Sequence, residues 1–212
     1  MKRSTIELID AMLAKEHALT ECRETLVGAV ELICRCFADG HALYVCGNGG
    51  SASDAEHIVG ELVKAFRKKR PISETERARF AALYPDDGAL LEHLQVGFPA
   101  YSLVSGTAIM TAIVNDLGGE YIYAQQANAY LQSGDILWGI STSGNSAPII
   151  HAMKVARLKG AQTIAMTGKS GGQMSSLADL TLRSTEQETY LVQQEHIAFY
   201  HIICAAVEEE LA

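Results

Sequence analysis

The sequence predicts an α/β fold built on a parallel sheet, and three observations carry that prediction. Five short β-prone runs, at residues 42–46, 101–104, 136–140, 163–166 and 180–182, alternate with stretches in which apolar residues recur at helical spacing. Two of those runs end in loops crowded with glycine or small hydroxyl residues, as strands do where they turn into helices. Long helical patterns open and close the chain.

The opening pattern runs from Ile6 to Phe37, with Leu26, Val30, Ile33 and Phe37 on one stripe, and Gly40 supplies the residue that commonly ends a helix. One or two helices are expected there. Ala42–Cys46 is too short for a helix and runs directly into Gly47-Asn48-Gly49-Gly50-Ser51, after which residues 51–66 return to helical spacing. Ile136–Ile140 leads into Ser141-Thr142-Ser143-Gly144-Asn145-Ser146 and a helix starting at Ala147-Pro148, with Ser146 placed to cap it. Arg67-Lys68-Lys69-Arg70-Pro71 reads as a basic, solvated turn. Residues 72–99 carry two short helical patterns and interrupt the rhythm as an insertion. The whole of 1–212 otherwise reads as one domain, closed by a helix from about Gln187 to Leu211.

Composition narrows the function. Charged residues are 20% and apolar residues 48% of 212, an ordinary globular balance. Seventeen Lys and Arg against 25 Asp and Glu leave a net charge of −8, a poor match to a nucleic-acid backbone, so direct nucleic-acid binding is disfavoured. Mean hydropathy is +0.08, and no apolar run approaches the length of a membrane span, nor does a signal-like segment follow Met1. A cytoplasmic protein is expected. The five cysteines, Cys22, Cys34, Cys36, Cys46 and Cys204, fit no zinc or redox spacing and read as reduced thiols.

The chemistry sits in the loops and behind them. At Ser141–Ser146, hydroxyls and free amides converge on a helix N-terminus, which binds a phosphate dianion without lysine or arginine; mere capping is the alternative for one such loop. Gly47-x-Gly49-x-x-Ala52 formally matches a dinucleotide fingerprint. The acidic residue that a dinucleotide site wants about 20 residues later is replaced by Arg67–Arg70, so a nicotinamide enzyme is disfavoured. The loop reads more simply as a close backbone approach to a sugar, with Asn48 serving its hydroxyls, or as a tight turn. His57 and Glu61 share one helical face, a pair suited to metal ligation or proton transfer as well as to a surface hydrogen bond. Gln193 and His201 lie eight apart on the last helix, about 12 Å along it, and can line one cleft. His196 belongs to the same polar cluster: a lone histidine on a mostly apolar helix is the better fit to a core residue, but polar residues on neighbouring turns suggest a wet face.

Taken together, Cys46–Ser51 with Asp54-Ala55-Glu56-His57, Gly139–Ser146 and Ile164–Lys169 resemble the phosphoheptose isomerases of the sugar isomerase (SIS) fold. The resemblance covers nearly the whole chain outside 72–99. It implies a SIS-type doubly wound parallel sheet flanked by helices, and an aldose–ketose isomerase converting sedoheptulose 7-phosphate to D-glycero-D-manno-heptose 7-phosphate through an enediol(ate). Substrate contacts are implied at Asn48, Gly49, Gly50, Asn115, Asp116, Ser141, Thr142, Ser143, Ser146 and Gln193. A divalent metal, usually zinc, is implied on His57, Glu61, Gln193 and His201, with Glu61 and His201 as the proton-transfer pair. A homotetramer with active sites at subunit interfaces follows from the same resemblance. Two departures stand out: Tyr190 replaces a common acidic residue three before Gln193, and the insertion before Tyr101 is long. A related branch of replication-initiator-associating adaptors shares the fold and the sugar loops but lacks the acid/base pair present here. Because Gln193 and His201 are so far apart along one helix, the reading also expects Glu61 and His201 of one site to come from different chains.

Overall fold

The computed structural model describes residues 1–212. Helices α1 (Arg3–Leu13) and α2 (Arg23–Ala38) precede strand β1 (Leu43–Gly47) and helix α3 (Gly50–Val63). Two short helices, α4 (Glu74–Leu83) and α5 (Ala89–His93), then lead to β2 (Ala100–Ser102), α6 (Thr107–Asp116) and α7 (Ile122–Tyr130). The remainder alternates as β3 (Ile136–Ser141), α8 (Ala147–Leu158), β4 (Gln162–Thr167), α9 (Met174–Leu177), β5 (Leu180–Arg183) and α10 (Thr189–Leu211). All five expected strands form, and the opening pattern is two helices joined by a 3-10 segment at His17–Cys22.

The strands make one sheet in the order β2-β1-β3-β4-β5, every pair parallel. Alternation along each strand splits the core in two. Leu43 and Val45 of β1, Trp138 and Ile140 of β3, and Ile164 and Met166 of β4 pack beneath α1, α2, α3 and α10. Cys46, Leu137 and Ala165 point to the other face, against α6, α7, α8 and α9. The strands are therefore buried on both faces, as a parallel sheet requires. The chain leaves β1 towards β2 on one side and returns to β3 on the other, so a crevice opens between the carboxyl ends of β1 and β3, where ligands of such sheets bind.

On the first face, α3 and α10 lie side by side. Tyr200 meets His57, Glu61 meets His201, and Glu208 receives the amides of Phe66, Arg67 and Lys68 at 2.9, 2.7 and 2.9 Å. These pairs advance together along both helices, so the two run parallel. The Glu208 carboxylate ties down the backbone just past the end of α3.

The basic turn needs correction. Arg67, Lys68 and Lys69 are exposed, but Arg70 is buried. Its guanidinium lies 4.2 Å over the Phe98 ring, donates to the Leu62 carbonyl at 2.9 Å and stands 3.5 Å from Glu208. The apolar stem and flat charge of arginine suit such a seat. The segment 72–99 does form two short helices. Ser73 and Glu76 make a reciprocal capping box at the start of α4, which buries no residue, and Gln95 and Phe98 return the chain to the end of α3 through Ala65 and Leu62.

Candidate active site

The loop after β1 is shaped by backbone demands. Gly49 has φ +59°, which disfavours any side chain, and a Cβ on Gly50 would lie 2.1 Å from the Gln193 amide nitrogen. What approaches Gly50 closely is thus Gln193 of α10. Asn48 donates to the Ser146 hydroxyl at 2.7 Å and bridges the loops after β1 and β3 across the crevice. Ser146 occupies the N-cap position of α8, yet its side chain makes no capping bond, because Asn48 engages it instead. Its backbone carbonyl still receives the Ile149 and Ile150 amides.

In the second loop, Ser143 accepts from the Asn145 amide at 3.1 Å and lies 3.3 Å from the Ser141 hydroxyl. Thr142 and Ser143 border a cavity of about 380 Å³ that Lys169 and Gln187 also line. Lys169 adds to the sequence reading, which did not place a basic side chain beside this loop. The Ile164–Lys169 segment contained that signal, but nothing local said that the ends of β3 and β4 would meet.

Two to three turns into α3 lies a compact cluster. Glu61 Oε1 is 3.1 Å from His57 Nε2 and 3.2 Å from His201 Nε2. The ligand atoms of all three fall within 4.8 Å of one another. Glu61 is buried with Oε2 left without a hydrogen-bond partner, and burial pushes its carboxyl up to about 7, only partly offset by the neighbouring Cys204 thiol. His201 is held below its ordinary value, by burial first and by His57 second. Its ring stacks on Phe66 at 5.6 Å. Tyr200 bonds the other nitrogen of His57, Nδ1, at 2.9 Å, and burial keeps its phenol protonated. Asp54, one turn before His57, is buried with Oδ2 unpartnered, which raises it to about 6.

Glu61 and His201 of a single chain therefore already touch. This overturns the expectation that they come from different chains: the parallel packing of α3 against α10 does within one subunit what an interface had been invoked to do. Gln193, the fourth residue of the implied metal set, has its side-chain amide next to Gly50. Eight residues before His201, it lies about 12 Å up the helix, against Gly50 in the loop after β1. Asn115 and Asp116 are also apart from the cluster. They are exposed at the end of α6, on the opposite face of the sheet, where Asn115 donates to Asp116 at 2.7 Å. His196 is a core residue, its Nε2 3.2 Å from the Thr167 carbonyl. Tyr200, Phe66 and Asp54 were not read as functional side chains; Tyr200 and Phe66 look like core residues at helical spacing until the partner helix is known.

Two imidazoles and a carboxylate, converging with one carboxylate oxygen unsatisfied, fit a zinc-type ion with a coordination position left over.

The chain is similar to known proteins over nearly its whole length. The family model described as the SIS domain matches residues 9–79 and 77–168. The phosphoheptose isomerase of Aneurinibacillus thermoaerophilus is 36% identical over 209 residues, covering 99% of this chain and 91% of the relative. That of Synechocystis sp. is 36% identical over 199 residues, covering 94% and 89%. Among solved structures, the phosphoheptose isomerase of Neisseria gonorrhoeae aligns with a TM-score of 0.74 at 30% identity, covering 98% of this chain and 97% of that one. The enzyme of Francisella tularensis aligns with a TM-score of 0.76 at 27% identity over 94% and 93%. The chain belongs to the SIS-domain family and, within it, to the phosphoheptose isomerases.

Proposed function

We propose that this protein is an aldose–ketose isomerase that converts sedoheptulose 7-phosphate to D-glycero-D-manno-heptose 7-phosphate, with Glu61 and His201 moving the protons. The observation that carries the reading is the Glu61–His201 contact of 3.2 Å beside a crevice with phosphosugar-type loops, in a chain of this family.

The substrate phosphate sits at Ser141, Thr142, Ser143 and Ser146, with Lys169 adding charge, and Asn48, Gly49, Gly50 and Gln193 contact the sugar. The Glu61 carboxylate takes a proton from C1 of the ketose, giving an enediol(ate). His201 carries a proton from the C1 oxygen to the C2 oxygen, and Glu61 returns its own to C2. A carboxyl near neutrality can both take and give that proton at neutral pH. A histidine held neutral keeps one donor and one acceptor nitrogen, which the oxygen-to-oxygen transfer uses. His57, Glu61 and His201 would hold a divalent ion, zinc by its ligand chemistry, and such an ion polarises a carbonyl and steadies the developing oxyanion.

The same reading makes residues 1–212 a single SIS domain with an insertion at 72–99, working in the cytoplasm. No helix is long and apolar enough to cross a membrane. It also makes the protein a homotetramer, in which Asn115 and Asp116 act as substrate contacts at the interface. The exposed apolar residues Ile109 and Val114 of α6, with Leu117 just past its end, support that assembly.

The test is turnover of sedoheptulose 7-phosphate by purified protein, before and after chelation. Isomerisation that falls on chelation and returns with zinc is expected. Binding without turnover under every metal condition would contradict the reading and favour a phosphosugar-binding adaptor.

A further inference from the structure

His57 has 51% of its side chain exposed, so packing alone does not fix its ring. Two polar contacts do. Nε2 faces Glu61 at 3.1 Å, and Nδ1 faces the Tyr200 hydroxyl at 2.9 Å. Tyr200 is 1% exposed and belongs to the core beneath α3 and α10, and its ring meets the His57 ring edge-on at 5.2 Å. The hydroxyl is thus delivered to His57 by buried packing. A freely turning surface side chain would give no such precision.

We propose that Tyr200 is a positioning residue of this site, whose hydroxyl aims His57 Nε2 at Glu61 and His201 and serves both tautomers of the His57 ring. The proposal rests on the isomerase reading only for what the site is used for.

A neutral imidazole has one N–H and one lone pair. In the metal-free protein, Nε2–H donates to the Glu61 carboxylate, so Nδ1 carries the lone pair and must be offered a proton. The Tyr200 O–H offers it. Were His57 to hold a cation through its Nε2 lone pair, its ring proton would reside on Nδ1 and need an acceptor, which the Tyr200 oxygen would supply. A carboxylate or backbone carbonyl in this place would accept only, and would fix the second tautomer. A hydroxyl both donates and accepts, so His57 can change tautomer without losing its bond or turning its ring. The change moves one proton between the two nitrogens by way of solvent and leaves the charge of Tyr200 and His57 unaltered.

The test uses full-length protein with ¹⁵N-labelled histidine, with His57 assigned by its absence in His57→Asn. Long-range ¹H–¹⁵N correlation reads the tautomer directly. Metal-free wild type is expected to show the Nε2–H form, and zinc addition should convert it to the Nδ1–H form. Tyr200→Phe keeps the ring and removes only the hydroxyl. It should give a mixed tautomer when metal-free, weaken zinc binding about 10-fold or more, and lower kcat with KM for the sugar phosphate nearly unchanged. An Nδ1–H tautomer in metal-free wild type overturns the proposal by itself, even if Tyr200→Phe does not fold. So does a Tyr200→Phe protein with the wild-type tautomer and zinc affinity. Tautomer and affinity are read without turnover, so a protein that switches tautomer but does not isomerise the sugar keeps this proposal and loses the isomerase reading.

Discussion

The two halves of the candidate site are built in opposite ways. The loop at Ser141–Ser146 is a contiguous stretch of small residues at a helix start, with its amides and hydroxyls within a few residues of one another. The His57–Glu61–His201 cluster draws on helices 140 residues apart in sequence and works through burial: the carboxyl of Glu61 is shifted because α10 covers it. A binding loop can be assembled from local backbone geometry alone, whereas a group tuned for proton transfer needs a partner element to take water away.

That contrast gives three predictions, ordered by size. Removing the tuned group should separate chemistry from binding: Glu61→Gln is expected to cut kcat by about 10²–10⁴-fold while phosphosugar affinity, measured by calorimetry, stays close to wild type. If affinity collapsed as well, the two halves would not be independent. On the loop side the effect should be smaller and confined to binding. Ser143→Ala is expected to weaken sugar-phosphate affinity by about 1.5–3 kcal/mol, and Ser146→Ala similarly, since Ser146 accepts from Asn48 but still has its own proton to give. Affinity unchanged in both would move the phosphate elsewhere.

The third sharpens the burial argument through Asp54, which α10 also covers. Its carboxyl is raised to about 6 when folded, so the native state holds the proton more tightly than the unfolded chain. Its contribution to stability is therefore present below the ordinary aspartate range and is lost as pH rises through about 6. Asp54→Asn should remove that part of the slope, gaining on wild type by about 1–3 kcal/mol between pH 4 and pH 8 in urea titrations. Parallel wild-type and variant curves would mean that Asp54 is solvated.

Sequence legibility follows the same division. The five strands, the helix starts at Gly50 and Ala147 and the two small-residue loops could all be read locally, because turn chemistry and hydrophobic period are properties of neighbouring residues. His57 and Glu61 were legible as an i,i+4 pair. Long-range consequences were not. Arg70 looked like one of four solvated cations, yet Phe98 and Glu208 bury it. Lys169 reached the Ser141–Ser146 loop only because β3 and β4 pair in register, with Ser141 beside Thr167. Tyr200 gave no sign of function until α10 was laid against α3. Gln193 and His201 shared a helix, but only the packing shows that Gln193 lies against Gly50 and His201 against Glu61.

The central claim is that one chain supplies its own acid/base pair, and mixing two inactive variants tests it most directly. Glu61→Gln and His201→Asn subunits are refolded together in equal amounts, mixed oligomers are confirmed by native mass spectrometry, and isomerase activity is measured. A pair shared between chains would leave about a quarter of the sites intact under random assembly. Contact between Glu61 and His201 inside each chain predicts no recovery above that of the separate variants, and activity near one quarter of wild type would contradict the account.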